Sequence, residues 1–146
     1  MKSINIVLPN QLFEKSILLD KAVSTYIIEE HLFFRQFNFH KQKIYFHRCS
    51  MMNYANYLVG LGQKVHYIDS SEANSDIRNF IRGLKNTGIS NIHIVDPDDF
   101  WIEKRIKKEC QVLNITLNMH ENKSFINSKE DLSEFFRADK KKYFQT

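Results

Sequence analysis

The sequence predicts an α/β domain, a Rossmann-like three-layer arrangement with a five-stranded parallel sheet and helices on both faces. Three observations carry that reading. Short runs rich in β-branched residues alternate along the chain with stretches of helical period. Successive runs are separated by connections of ten or more residues, which suits right-handed crossovers rather than hairpins. The 146 residues, 42% apolar and 26% charged, also match the size and make-up of one globular domain spanning residues 1–146.

Strand one is expected over Ser3–Leu8 and ends at the Pro9-Asn10 turn. The segment Leu12–Ala22 carries Leu12, Phe13, Ile17, Leu18 and Leu19 and reads as a short helix or an ordered crossover to strand two, Ser24–Glu30. From Lys43 to Leu61, Ile44, Met51, Ala55 and Leu58 fall seven, four and three apart, one stripe of the longest helix, which Gly60 and Gly62 end. Strand three is Lys64–Asp69. Ser75 offers an N-cap to a helix bearing Ile77, Phe80, Ile81 and Leu84, with Gly88 as its stop. Strand four is Asn91–Val95. Asp96-Pro97-Asp98-Asp99 then sets a turn and carboxylates before a helix with Ile102, Ile106, Cys110 and Leu113 on one face. Strand five, Ile115–Met119, is followed by a helix that Ser128 and Asp131 open and that carries Leu132, Phe135 and Phe136. The tail Lys140–Phe144 has no stop signal.

Composition narrows the function classes. The 21 Lys and Arg against 17 Asp and Glu leave a formal charge of +4, spread along the chain and too small for a nucleic-acid-coating protein. No apolar run reaches the roughly 18 residues of a membrane span and the N-terminus lacks a secretion signal, so a cytoplasmic protein without membrane contacts is expected. Cys49 and Cys110 form no CxxC pair, and the six histidines show no ligand spacing on one element, so no metal site is expected. With only four glycines, and Pro-Asn-Gln-Leu after strand one, there is no Gly-rich phosphate loop.

In such a sheet, ligands sit at the carboxyl ends of the strands where the winding reverses. The segments to weigh are therefore Pro9–Leu12, Glu29 onward and Asp96–Trp101. Asn10 and Gln11 either offer amide groups to a planar heterocycle, or cap the crossover and face solvent. Adjacent residues on a strand point to opposite faces, so at most one of Glu29 and Glu30 faces the crevice; the alternative leaves both solvated. Phe33, Phe34, Phe37 and Phe39 crowd an expected loop, where they either pack beneath it or wall a pocket. Lys104, Arg105, Lys107 and Lys108 read as the solvated face of their helix, or alternatively as a contact to a phosphate backbone. No acid–base pair or nucleophilic triad emerges, and no catalytic residue is assigned.

Three blocks carry a resemblance. Ile6-Val7-Leu8-Pro9-Asn10-Gln11-Leu12 resembles the "ILGDQL" strand-one signature of the photolyase-related proteins, the iron–sulfur bacterial cryptochromes and (6-4) photolyases. His40-Lys41-Gln42-Lys43-Ile44-Tyr45-Phe46 with Ser50-Met51 is similar to their "HKxKIxF…AMR" segment, and Asp96-Pro97-Asp98-Asp99-Phe100 to their "EPxEW" block. Pro9 stands where the family has glycine and Met52 where it has arginine.

The resemblance implies an amino-terminal domain that holds a light-harvesting antenna, 6,7-dimethyl-8-ribityllumazine or a similar chromophore. Asn10, Gln11, Leu12, Glu29, His40, Lys43, His47 and Met51 match the places around it. The resemblance assigns flavin adenine dinucleotide and a four-iron cluster to a helical carboxyl-terminal domain that this sequence does not include, and damaged DNA as partner to the whole flavoprotein. Lesion repair there is electron transfer from excited flavin, so this domain supplies no catalysis of its own. Two further readings stay open, a stand-alone nucleotide- or pterin-binding protein and a scaffold that binds nothing. An isolated domain of this kind is also expected to be able to form a homodimer.

Overall fold

The computed structural model describes residues 2–19, 23–137 and 139. Ala22 and the tail Lys140–Phe144 lie outside the described residues. Five strands, β1 (Lys2–Val7), β2 (Ser24–Ile28), β3 (Val65–Ile68), β4 (Ile89–Val95) and β5 (Thr116–His120), form one sheet. Its order is β3-β2-β1-β4-β5 and every pairing is parallel, so the winding direction reverses at the β1/β4 boundary. Ile6 of β1 registers with Tyr26 of β2 on one side and Ile94 of β4 on the other. The expected α/β parallel-sheet class is the observed one.

Alternation along the strands builds two cores. Ile4, Ile6, Ile28, Ile68, Ile92 and Ile94 point to the face covered by α3 (Ile77–Gly83) and α4 (Phe100–Leu113), meeting Ile77, Phe80, Ile81, Ile102 and Ile106. These side chains are nearly all fully buried, each contributing about 1.5–3 kcal/mol of transfer free energy. On the opposite face Val7, Ile27 and Val95 meet Met51, Tyr54 and Leu58 of α2 (Lys41–Gly60). The helix termini obey local chemistry. Asp99 caps α4 by accepting from the Ile102 amide at 2.9 Å, and Asn114 ends it in the left-handed region at φ 53°. Ser128 and Asp131 form a full capping box on α5 (Lys129–Phe135).

Several local expectations are corrected. The described part of the Leu12–Ala22 crossover contains turns and no helix; it is held by Asn5 Nδ2 donating to the Leu18 carbonyl at 2.6 Å. Asp76, not Ser75, caps α3, because residues Ala73–Ser75 form a 3-10 turn that buries Ser75. That helix stops at Gly83, and Gly88, at φ 77°, turns the chain into β4. The expected Phe-rich loop begins with a one-turn helix, α1 (His31–Phe34), because the Glu30 carboxylate accepts from the Leu32 amide at 2.5 Å.

The α2 layer covers only part of its face. Over β4 and β5 that face presents Asn91, His93, Asn118 and His120, all partly exposed, which is why these strands alternate polar and apolar residues. Accordingly, Ile92→Ala should lower the unfolding free energy by about 2–5 kcal/mol, and Thr116→Ala, on the open face, by less than about 0.5 kcal/mol. Urea titration of the two variants checks this contrast.

Candidate functional site at the carboxyl ends of the strands

The chain leaves β4 through Asp96 and Pro97, and this exit is tied to β1. Gln11, 2% exposed, donates its Nε2 to the Val95 carbonyl at 2.6 Å and to the Asp96 carbonyl at 3.2 Å, while its Oε1 accepts from the Leu8 amide at 3.2 Å. Asn10, exposed, donates to the Pro97 carbonyl at 3.0 Å. Both amides therefore bridge the two strand ends at the winding reversal.

Above that seam lies Phe34. α1 places its ring, 4% exposed, in the buried cluster that also holds Val7, Val95 and Met51, and Leu12 is partly buried against that cluster. His47 stands beside it, ring centroids 6.1 Å apart, and burial together with Lys43 holds that imidazole below its ordinary pKa. His47 thus meets the Phe34 ring, and Met51 and Leu12 belong to the cluster in which that ring is buried. His40 and Lys43 are exposed at the start of α2. There His40 caps the helix by accepting from the Gln42 amide, and the Lys43 ammonium lies 4.2 Å above the Phe39 ring. The Phe-rich segment divides accordingly: Phe34 packs, while Phe37 and Phe39 meet edge to face at the surface.

The two glutamates are both fully buried, against the reading that leaves them solvated, and they face opposite layers. Glu29 points toward α2 and accepts from Arg48 Nε at 2.7 Å and Nη2 at 2.5 Å, from Tyr67 Oη at 2.7 Å and from the Ser70 amide at 2.8 Å. Burial pushes its carboxyl up, but Arg48, Tyr67 and Ser70 outweigh burial and hold it below its ordinary value of 4.5. Glu30 points toward α3 and α4. It accepts from the Leu32 and Ile77 amides, and Arg105 Nη1 lies 4.0 Å away. Here burial wins and the carboxyl is raised. Arg105 is correspondingly turned inward, 18% exposed, a correction to its place on the solvated face of α4. The sequence carried no mark of either partnership, since Arg48 and Arg105 are 19 and 75 residues from their glutamates.

A cavity of about 600 Å³ opens beside this seam, at the carboxyl ends of β4 and β5. Asp96, Asp98, His120 and Asn122 form its polar side, and Phe125 and Leu132 belong to its apolar wall. Asn122 donates to the Asp96 carbonyl at 3.2 Å and to the Asp98 carboxylate, and Lys129 pairs with the Asp96 carboxylate. Asp98 sits in the left-handed region, φ 52°; burial and then the charge of Asp96 raise its carboxyl. His120 meets His93 across the strands with Nδ1 and Nε2 3.3 Å apart. Spacing along the chain concealed that pair, because the two residues sit on different strands. Among the described residues no group of three or more His, Cys, Asp or Glu is arranged to hold a metal ion, and no helix is long and apolar enough to cross a membrane.

Fold and site define a doubly wound α/β domain with a carboxyl-edge crevice. The sequence matches, over residues 5–146, the model of the deoxyribodipyrimidine photo-lyase-related proteins, and the chain belongs to that family. It is also 33% identical to the uncharacterized protein R852 of Acanthamoeba polyphaga mimivirus across 155 residues, covering 99% of this chain and 78% of that relative.

The two glutamates should respond unequally to neutralisation. Because the Glu29 pKa is depressed on folding, its stabilisation is present above about pH 4.5 and is lost as pH falls below that value. Glu29→Gln should therefore cost about 2–3 kcal/mol at pH 7 and progressively less under acid. Glu30→Gln, which removes a charge whose burial is unfavourable, should cost less than about 1 kcal/mol at pH 7. Urea unfolding at pH 7 and pH 4 checks both.

Proposed function

We propose that this chain is the α/β scaffold domain of a photolyase-related DNA repair flavoprotein, and that its antenna crevice is shut by its own side chains. The observation behind the reading is Phe34, buried in one cluster with Val7, Val95 and Met51 and set edge-on to His47, among the residues where a planar chromophore would lie. Gln11 and Glu29 add to it, since their polar groups are taken up within the protein. Family membership supports the wider role. Flavin and iron–sulfur chemistry, and contact with damaged DNA, belong in this reading to a helical domain. In this reading the present domain supports those chemistries and supplies none of its own.

A second reading, a small-molecule binding protein, is favoured by the cavity beside β4 and β5. Its volume of about 600 Å³ lies within the range of ligand sites, and its wall combines apolar surface with the carboxylates of Asp96 and Asp98.

Titration of the purified protein with 6,7-dimethyl-8-ribityllumazine, followed by the fluorescence of the chromophore, tests the leading reading. No saturable change is expected with the natural sequence at micromolar protein, and Phe34→Ala should gain binding by opening the crevice. Tight binding by the natural sequence, unchanged in Phe34→Ala, would contradict the closed crevice. Tight binding abolished by Asp98→Asn would instead favour the second reading.

A further inference from the structure

Helix α2 buries one side against the sheet and, among the described residues, leaves the opposite side without a packing partner. Its inner line is Met51, Tyr54 and Leu58. Tyr45, Cys49, Met52, Asn56 and Val59, spaced four, three, four and three, form an outer stripe about 21 Å long. Tyr45, Met52 and Val59 are 72, 52 and 58% exposed, and Phe46 beside the stripe is 69% exposed. No charged residue occurs from Cys49 to Gln63. By contrast, the outer face of α4 carries Glu103, Lys104, Lys107 and Lys108. A helix apolar on two sides is built to be covered on both.

The charges at its ends say what covers it. α2 has no acidic residue in its first turn and no basic residue in its last; instead Lys41 and Lys43 stand at its amino end. Lysines at the positive end of a helix oppose its dipole, and a carboxyl end without cations leaves the negative end uncompensated. An antiparallel copy of the same helix corrects both faults at once, because Lys41, which stands on the side of the outer stripe, then lies beside the carboxyl end of the other helix.

We propose that the outer stripe of α2 is the self-complementary face of a homodimer, with two α2 helices crossing antiparallel about a two-fold axis near Met52. Tyr45 of one protomer then lies near Val59 of its partner, and Met52 meets Met52. The stripe and Phe46 supply roughly 500 Å² of apolar surface per protomer, which places the pair near the lower bound for specific association. The dimer is therefore concentration-dependent.

Sedimentation equilibrium of the full chain tests this. The mass should rise from 17.4 kDa at about 1 μM toward twice that value at several hundred micromolar. Met52→Lys, a change at an exposed position, should hold it at the monomer mass with an unaltered circular dichroism spectrum. In a Cys49→Ser background, Met52→Cys should oxidise to a covalent dimer and Tyr45→Cys should not. A monomer at every concentration would overturn the proposal, including the case where another element covers the stripe. So would a dimer that persists in Met52→Lys, and cross-linking through Tyr45→Cys would overturn the antiparallel arrangement.

Discussion

The carboxyl edge of the sheet is organised around one backbone carbonyl, that of Asp96. In a doubly wound sheet the chains leaving the two strands at the reversal go to opposite layers, which opens a seam with unpaired backbone groups. Here the carbonyl at the end of β4 accepts Gln11 Nε2 from the β1 side and Asn122 Nδ2 from the β5 side. The same residue donates its amide to the His120 carbonyl at 2.7 Å and pairs its carboxylate with Lys129. Pro97 follows with no amide to satisfy, and Asp98 takes the left-handed turn that lets the chain enter α4. Buried polar groups at a strand exit are costly unless paired, so this meshwork decides which part of the edge is closed and which is open.

With the seam sealed by Gln11, the face above it can be apolar. Phe34 is buried on that side of the sheet in one cluster with Val7 and Val95, and a ring of its size is held there by hydrophobic burial together with the edge contact to His47. One strand further on the edge stays open, and the cavity bounded by Asp98 and Asn122 remains, with Phe125 on its wall. The same division runs through the layers. α2 covers β1 to β3, while Asn91, His93, Asn118 and His120 accept solvent over β4 and β5. One sheet therefore has a shut half and an accessible half, and the proposed scaffold role and the alternative small-molecule role each rest on one of them.

How much of this the sequence carried follows from the range of the forces involved. Local chemistry was legible: the five β-branched runs became strands, the acidic turn before Phe100 supplied the Asp99 cap, and Ser128 with Asp131 supplied the capping box. Glu30 misled, because a glutamate seldom caps a helix, and its role depends on burial that only the fold creates. The partners of Glu29 were hidden for a different reason. Arg48, Tyr67 and Ser70 come from α2, from β3 and from the residues after β3, and no short spacing encodes their meeting. The crevice residues were gathered by family likeness into one group, of which the fold sets His47 against Phe34 and puts Leu12 and Met51 in or against the cluster that buries it. It leaves His40 and Lys43 at the surface and occupies Glu29 with an ion pair. Phe34 itself was visible only as one of four phenylalanines, since a period-free segment does not say which ring turns inward.

The central claim, that Phe34 fills the crevice, is tested most directly by proton NMR of the protein in solution without ligand. Nuclear Overhauser contacts should connect the Phe34 ring to the methyl groups of Val7, Val95 and Met51, with ring-current shifts on those methyls that vanish in Phe34→Ala. A Phe34 ring that shows no contact with these methyls, and whose removal leaves their shifts unchanged, would contradict the account.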